Sequence, residues 1–233
     1  MSALLEAEPV SRKMPDFSSD QRLVMPGDWD FYNRLLDARG ENHPRLKITY
    51  NCGRLELMTV SNEHERCKKL LARIIEFLSY TTGGEIVCSG QMTIKRADLD
   101  RGFEPDECYY IQHAEQVREI RNLDFDRDPP PDLAIEIEIS RSLADRLDVY
   151  AAVGVPEVWR FDGETLKVLH LQTDGTYREN AASLAFPKLD MSVVKTVFDD
   201  ASPSGENKAL RRFHGWITKN LLTPAGDDPA GKD

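Results

Sequence analysis

Three acidic residues combine the types and the spacing of a divalent-cation site. Asp106 follows a proline at the point where an apolar run begins, which predicts that Asp106 is the first residue of a strand. Glu136 and Glu138 alternate with isoleucines in residues 132–139, which predicts a strand with one apolar face and one acidic face. Two such strands can bring Asp106 and Glu136 to one ion. Oxygen ligands suit Mg²⁺ or Mn²⁺, and such an ion takes one or two carboxylates together with water and phosphate oxygens.

The same residues also have explanations that involve no chemistry. Residues two apart on a strand lie roughly 7 Å apart, so Glu136 and Glu138 repel each other unless water, a cation or a basic side chain intervenes. Water intervenes when the acidic face is the solvated outer face of an antiparallel strand. Pro105 and Asp106 are equally compatible with a turn that leads into an edge strand. The strand pattern leaves these alternatives open.

A basic residue follows the acidic strand along the chain. Arg146 and Tyr150 are four residues apart in a segment that predicts a helix, so their side chains lie on one helical face. A guanidinium that faces the acidic strand can pair with a carboxylate or hold a scissile phosphate. An ordinary surface arginine is the alternative. Arg146 is therefore a candidate for the positive charge of the site.

The elements that must position these residues alternate between strands and helices. The clearest is a long helix that Asn62 caps and Gly83 ends, because its apolar residues form one stripe at helical spacing. A hairpin is predicted around residues 51–53, since Asn and Gly tolerate the backbone of a tight turn. The order predicts a mixed α/β domain with a β-rich centre. The other predicted helices cover residues 28–39, 140–153 and 208–222, and the other strands cover residues 85–89, 91–95, 106–112, 132–139, 157–163 and 165–172.

Composition and charge restrict the function classes. The chain has 233 residues, of which 40% are hydrophobic, which suits one domain with a sizeable core. Acidic residues number 40 against 30 Lys and Arg, and the net charge of -10 argues against coating nucleic acid by charge alone. Since the sequence contains neither a run of roughly 18 apolar residues nor a secretion signal, we expect a cytoplasmic protein with no membrane partner. The four cysteines form no CxxC pair, which argues against a zinc knuckle.

Four segments in a fixed order resemble the Uma-two family of the PD-(D/E)XK nuclease superfamily. They are GRLELM followed by SNEHER in residues 53–66, EPDECYYIQ in 104–112, PPPDLAIEIEIS in 129–140 and YAAVGVPEVWRFDG in 150–163. The resemblance covers roughly residues 28–200 and implies an α/β restriction-endonuclease-like core, with a central mixed β-sheet flanked by helices. It also implies a DNA endonuclease that hydrolyses phosphodiester bonds with Mg²⁺ or Mn²⁺. Superfamily members that cut both strands commonly act as homodimers, so a homodimer is implied as well.

The resemblance assigns positions to the catalytic motif. The Pro-Asp falls on Pro105 and Asp106, and the (D/E)XK acid falls on Glu136, which makes Asp106 and Glu136 the implied metal ligands. The superfamily lysine would stand two residues later, where this chain has Glu138. Family members commonly carry a lysine four residues before the tyrosine of Y-x-x-x-G-V-P-E, and Arg146 occupies that position. Since arginine is a poorer proton acceptor than lysine, a catalytically inactive nuclease-fold module that binds or regulates is the second hypothesis.

Further side chains are implied around this motif. The superfamily's first helix often contributes another acid, and Glu63 at the start of the long helix is the candidate, with His64 beside it. Glu63 or Glu138 would complete or relay the metal site, while Arg146 would offset charge on the phosphate. Capping of the helix is an equally good explanation for Glu63, because acids are favoured at a helix start. Lys95 is a lower-ranked candidate for the missing cation.

Local basic clusters would have to supply the DNA contacts, because the overall charge is unfavourable. A solvated helix face is the alternative for each of them. The candidates are Arg66, Lys68, Lys69, Arg211 and Arg212.

The expected domain organisation follows from composition, periodicity and the resemblance. Both ends are polar and lack a sustained period, whereas the region between them carries the motifs. We expect a flexible N-terminal segment over residues 1–26, a restriction-endonuclease-like domain over 27–200, a C-terminal helix over 201–222 and a disordered tail over 223–233.

Overall fold

Eleven strands and six α-helices lie in residues 19–40, 45–139 and 146–223, the ranges that this computed structural model describes. The strands are β1 (Gln21–Pro26), β2 (Leu46–Asn51), β3 (Arg54–Thr59), β4 (Val87–Cys88), β5 (Ile94–Arg96), β6 (Arg101–Phe103), β7 (Glu107–Tyr110), β8 (Leu133–Ile137), β9 (Glu157–Phe161), β10 (Leu166–Leu171) and β11 (Tyr177–Asn180). The helices are α1 (Trp29–Arg39), α2 (Asn62–Thr82), α3 (Ala114–Val117), α4 (Leu147–Val153), α5 (Met191–Ser204) and α6 (Glu206–Ile217), and a π-helical turn over Thr218–Leu222 extends α6.

The strands form two sheets. Five of them form an antiparallel sheet in the order β1-β3-β2-β6-β5, and six form a mixed sheet in the order β11-β10-β9-β8-β7-β4. In the mixed sheet β8 and β9 are parallel, because the connection that contains α4 carries the chain back across the sheet. The predicted class is confirmed, an α/β restriction-endonuclease-like core with a mixed sheet flanked by helices. The separate antiparallel sheet is an addition that the sequence did not predict.

Both faces of the antiparallel sheet are buried, and they differ in chemistry. One face packs Ile48 and Leu55 against Tyr32 of α1. Lys47 and Glu56 point to the opposite face, because side chains alternate along β2 and β3 and the register aligns the two strands. Buried charges are costly unless they are paired. This face therefore needs partners of opposite charge, and the mixed sheet and its helices supply them.

The main hydrophobic core lies between the mixed sheet and helices α2, α5 and α6. Ile135 and Trp159 of the sheet belong to the same buried cluster as Leu71 of α2. Ala134 lies on the other face of β8, which packs against α4. The predicted apolar face of this strand is thus confirmed. The solvated alternative for the acidic face is wrong at Glu136, because α4 covers that face and Glu136 is only 7% exposed.

Several element boundaries depart from the sequence prediction. The flexible segment expected over residues 1–26 does not extend to Gln21–Pro26, which pair with β3 along their whole length. Local sequence does not reveal this strand, because its residues pair with residues that lie 28 to 38 positions further along the chain. The helix expected over residues 201–222 is divided at Gly205, whose φ of 86° lies in the left-handed region and separates α5 from α6.

Ser61, and not Asn62, caps α2 by accepting a hydrogen bond from the backbone N–H of His64. Residues 1–18 and 140–145, and the expected tail after Thr223, lie outside the described residues.

Gly102 of β6 provides a sharp test of packing between the antiparallel sheet and α1. A Cβ atom at this position would lie 2.4 Å from Cε1 and 2.5 Å from Cζ of Tyr32. We expect Gly102→Ala to lower the free energy of unfolding by about 1–3 kcal/mol, because the buried ring must shift. Gly215→Ala in α6 is the matched control, since a Cβ there meets open space and should stabilise the helix by about 0.5–1 kcal/mol. Urea denaturation measures both, and an unchanged Gly102→Ala protein would contradict the packing.

Candidate active site

Asp106 lies where the chain crosses from one sheet to the other. Residues 104–106 connect β6 of the antiparallel sheet with β7 of the mixed sheet. The backbone N–H of Asp106 donates to the carbonyl oxygen of Ile135 at 3.1 Å, and the N–H of Ile137 donates to Asp106 Oδ2 at 2.7 Å. Strand β8, which carries Glu136 between these two residues, therefore fixes both the backbone and the carboxylate of Asp106. The strand that was predicted to begin at Asp106 begins one residue later, at Glu107, so Asp106 lies in the connection that precedes β7.

Two cations hold the other oxygen of Asp106. Lys47 Nζ donates to Oδ1 at 2.6 Å, and His64 Nε2 lies 2.8 Å from the same oxygen. Asp106 and Lys47 are each only 1% exposed. Burial alone would raise the pKa of Asp106, but the charges of Lys47 and His64 and the bond from Ile137 hold that pKa well below its usual range. Asp106 is therefore ionised at neutral pH.

His64 lies between two carboxylates. Its Nδ1 is 3.1 Å from Asp20 Oδ2, while its Nε2 contacts Asp106. Both ring nitrogens must carry a proton to donate to two carboxylates, so the ring is an imidazolium. Burial by itself would lower the pKa of His64, but Asp106 and Asp20 outweigh it and raise the pKa to about 9. The first turn of α2 thus delivers a positive charge to Asp106.

Glu136 is held from α4. Arg146 Nη1 donates to Glu136 Oε2 at 3.1 Å, and the hydroxyl of Tyr150 donates a short hydrogen bond to Oε1. The ring of Tyr150 packs edge-on against Phe103, with centroids 4.6 Å apart. Burial and the neighbouring carboxylate raise the pKa of Tyr150 well above its usual value, so its hydroxyl stays a donor. The predicted helical face of Arg146 and Tyr150 is confirmed, and both residues face the acidic strand.

Arg146 also reaches across to the antiparallel sheet. Its Nη2 donates to Glu56 Oε1 at 3.0 Å, and Arg22 of β1 donates to the same oxygen at 2.7 Å. Burial by itself would lower the pKa of Arg146, but Glu136 and Glu56 outweigh it and raise the pKa far above the working range, so the guanidinium is permanently charged. The ion pairs form two groups of two acids and two bases each, one around Arg146 and the other around Asp106. The two groups lie close enough for the charge of Asp106 to act on Arg146, so we treat the eight residues together. We call them the paired-charge cluster: Asp20, Glu56, Asp106, Glu136, Arg22, Lys47, His64 and Arg146.

The structure places three other predicted residues away from this cluster. Glu138 pairs with Arg160, at 3.7 Å, and its side chain is 29% exposed. Glu63 is exposed on the first turn of α2 and lines a surface cavity with Arg66. Lys95 is exposed and donates to Asn33 at 3.2 Å. No hydrogen bond or ion pair within the described ranges joins Glu63, Glu138 or Lys95 to Asp106 or Glu136.

Sequence reasoning missed Lys47, Glu56, Asp20 and Arg22. The segment that contains Lys47 and Glu56 reads as a hairpin with one polar face, and such a face is normally solvated. A signal was nevertheless present, because Lys47 alternates with apolar residues on a strand whose neighbour carries Glu56 on the same face. Only the packing of the second sheet against this face shows that it is buried.

The pKa of His64 makes the stability of the protein depend on pH. Its folded value of about 9 exceeds its ordinary value of 6.5, so the bound proton stabilises the folded state. This stabilisation is complete below about pH 6.5 and is lost as the pH rises through about 9. Relative to His64→Gln, we expect the advantage of the wild type to fall by up to about 1.4 kcal/mol per pH unit across that window. Urea unfolding of both proteins from pH 6 to 10 measures it, and a constant difference would contradict an imidazolium.

We compared the sequence with profiles of known protein families, and one profile matches the region that contains most of the paired-charge cluster. The sequence profile of one family matches residues 29–199, and that family is described as "Putative restriction endonuclease". The chain belongs to the Uma2 family. This confirms the resemblance, and the family description indicates a nuclease that acts on DNA. No curated protein sequence matches the chain at a significant level.

Most of the paired-charge cluster lies inside the Uma2 region, but Asp20 and Arg22 precede it. Strand β1 therefore adds one acid and one base from outside the matched residues. Across the described ranges, none of the helices has the length and apolar character needed to cross a membrane.

The donor atoms of the site decide whether it suits a divalent cation. The described residues include no group of three or more His, Cys, Asp or Glu arranged to hold a metal ion. Mg²⁺ nevertheless needs only one or two protein carboxylates, and Asp106 and Glu136 offer hard oxygen ligands. Glu56 Oε2 is also a buried oxygen with no hydrogen-bond partner in the described part of the chain. These residues therefore fit Mg²⁺ or Mn²⁺, although cations of the protein now pair with the oxygens of Asp106 and Glu136.

Proposed function

We propose that this Uma2 protein is a DNA endonuclease that hydrolyses phosphodiester bonds with Mg²⁺ or Mn²⁺. The observation that carries the proposal is the position of Asp106 and Glu136. Strand β8 fixes the Asp106 carboxylate through the N–H of Ile137, the residue that follows Glu136. Two buried carboxylates from distant parts of the chain are thus at neighbouring positions, because Glu107 pairs with Ile135 and Asp106 therefore lies beside Glu136 in the register.

Asp106 and Glu136 are the residues that would hold the ion. A bound ion would polarise the scissile phosphate and lower the pKa of an attacking water. Lys47 and Arg146 supply positive charge beside the two carboxylates, and such charge can stabilise a phosphate in the transition state. Tyr150 orients Glu136 from the side that faces α4. Lys47 is thus the lysine that the motif lacks at Glu138, contributed by another strand.

The charge balance of the cluster bears on how an ion would bind. Four carboxylates and four cations sum to zero before any ion arrives. A divalent cation alone would leave the buried site with two uncompensated positive charges, which is costly. A DNA phosphate that enters with the ion carries one negative charge and halves this excess. We therefore infer that the ion and the DNA phosphate bind together, and that the ion binds weakly without DNA.

DNA contacts are proposed at a groove beside α2 and α6. Arg66, Lys208 and Arg211 border a surface cavity of about 540 Å³ near the start of α6. Their charges can contact phosphates along a DNA strand. The other candidates are already paired, Lys68 with Glu65, Lys69 with Glu107 and Arg212 with Asp200. A homodimer would let two such sites cut both strands.

Cleavage of plasmid DNA with Mg²⁺ or Mn²⁺ tests the proposal. We expect activity in the wild type and its loss in Asp106→Asn and Glu136→Gln. Glu107→Gln is the matched control, because Glu107 is also a buried acid and follows Asp106 directly, but pairs outside the cluster with Lys69. Equal activity in all four proteins, each purified to the same constant specific activity, would refute the site.

A second function is favoured by the same charge balance. A nuclease-fold module that has lost the chemistry would keep the neutral cluster as a structural unit, with Arg146 in the place of a lysine. This module would bind DNA without cleaving it. Calorimetry with Mn²⁺ in the presence of a short DNA duplex separates the two functions. Heat that depends on Asp106 and Glu136 supports the enzyme, and its absence supports the binding module.

A further inference from the structure

Glu56 differs from the other acids of the paired-charge cluster. Its side chain is 2% exposed, and its Oε1 accepts from both Arg22 and Arg146. Its Oε2 is buried and has no hydrogen-bond partner within the described ranges, whereas both oxygens of Asp106 and of Glu136 are partnered. A buried carboxylate oxygen without a donor is unfavourable. Glu56 therefore has an unused ligand atom inside the cluster.

One guanidinium separates Glu56 from Glu136. Arg146 donates from Nη1 to Glu136 at 3.1 Å and from Nη2 to Glu56 at 3.0 Å. Its Nε is buried and also lacks a partner among the described residues. The guanidinium of Arg146 therefore has one buried N–H group that makes no hydrogen bond to these residues. A divalent cation that took its place would meet carboxylates from both sheets.

We propose that Glu56 is a third acidic ligand of the divalent cation, and that Arg146 is a tethered cation which the ion displaces from Glu56 and Glu136. This inference rests on the proposed function, and it adds a ligand from the antiparallel sheet. It also explains why the described residues contain no three-acid metal site, since the guanidinium stands between two of the three acids. Arg146 and Arg22 together thus balance the charges of Glu56 and Glu136 until an ion arrives.

The strands support this assignment. Glu56 lies on the buried charged face of β3, directly opposite Thr49 of β2 and Val24 of β1 in the register. Glu136 lies on the α4 face of β8 in the other sheet, and Arg146 precedes α4. The two carboxylates therefore approach from separate rigid elements, which is an arrangement that holds ligands in place.

Calorimetric titration of the full chain with Mn²⁺, in the presence of a short DNA duplex, tests the inference. We expect Glu56→Gln to weaken Mn²⁺ binding by about tenfold or more. Loss of even a group that only supports a metal ligand typically lowers the metal affinity by that factor. Glu157→Gln is the matched control, because Glu157 is a fully buried acid that contacts Trp159 and the backbone of residues 184–185, outside the cluster. It should leave the Mn²⁺ affinity unchanged.

The second arm concerns the displaced guanidinium. Arg146→Met should bind Mn²⁺ more tightly than the wild type, since the competing cation is gone. If Arg146→Met is unfolded without metal, we expect Mn²⁺ to restore its folded circular dichroism spectrum. Weaker Mn²⁺ binding by folded Arg146→Met, or no recovery of unfolded Arg146→Met, would overturn the displacement.

The outcomes for Glu56 can be separated from those for the proposed function. If Asp106→Asn and Glu136→Gln lose Mn²⁺ binding but Glu56→Gln keeps it, the ligand role of Glu56 is overturned and the proposed function stands. If the wild type binds no Mn²⁺ with DNA present, both are overturned. Should Glu56→Gln fail to fold, Glu56→Asp keeps the charge on a shorter arm. Its Mn²⁺ affinity must then fall, and an unchanged affinity overturns the role.

Discussion

Replacing Asp106 by asparagine should lower the free energy of unfolding by about 3–5 kcal/mol, the range for breaking a buried ion pair from one side. Asp106 is the acceptor for both Lys47 and His64, and all three side chains are nearly inaccessible to water. The isosteric amide keeps the shape but leaves two buried cations without their carboxylate. Urea denaturation at pH 7 measures the loss.

A double-mutant cycle assigns that loss to the ion pair. Lys47→Met removes one of the two cations that lose Asp106 as their partner. The double variant Asp106→Asn and Lys47→Met should therefore lose clearly less unfolding free energy than the sum of the two single changes. Glu107→Gln serves as the control, because its partner Lys69 is largely exposed and a solvated pair contributes about 0–1 kcal/mol. Additive effects in the cycle, or an Asp106→Asn protein as stable as the wild type, would contradict a central role of Asp106.

The patterns that are local in sequence predicted the fold best. The stripe of α2, the hairpin at residues 51–53 and the apolar face of β8 all depend on residues close in the chain. The predicted α/β class is confirmed for the same reason. Strand β1 and the separation into two sheets depend on pairing between distant segments, which no local pattern encodes.

The residues of the candidate site also differ in whether the local sequence reveals them. Asp106 and Glu136 are visible because a proline and an alternating strand place them, and Arg146 is visible through its helical spacing to Tyr150. Lys47 and Glu56 look like the polar face of a hairpin, and only the contact between two sheets turns that face into the interior. A lysine does contact Asp106, but it comes from β2 and not from the position of Glu138.

The acidic excess of the chain does not come from the site. The whole chain carries a net charge of -10, but the paired-charge cluster contains four acids and four bases and sums to zero. Acids outside the cluster must account for the excess. The field at the cluster therefore gives no general attraction for cations, so the binding of an ion must depend on specific ligands and on the phosphate that accompanies it.

Arg146→Met should lower the free energy of unfolding by about 3–5 kcal/mol, as Asp106→Asn does. The reason is the same with the signs reversed, because buried carboxylates lose a cationic partner. Glu136 would keep only the hydroxyl of Tyr150, and Glu56 would keep Arg22. Arg146→Lys is the matched variant. Its ammonium keeps the charge but lacks the planar fork that reaches two carboxylates at once, so we expect a smaller loss of about 1–2 kcal/mol.

Neutralising the stranded acids distinguishes lost charge pairing from lost packing. The triple variant Arg146→Met, Glu136→Gln and Glu56→Gln contains no unpaired carboxylate at this place, so it should recover most of the stability that Arg146→Met loses. If instead the guanidinium mattered mainly through its contacts with neighbouring side chains, the triple variant would be no more stable than Arg146→Met. Urea denaturation of the wild type and these variants at one pH decides between the two, because removing the carboxylates restores stability only if buried unpaired charge was the cause of the loss.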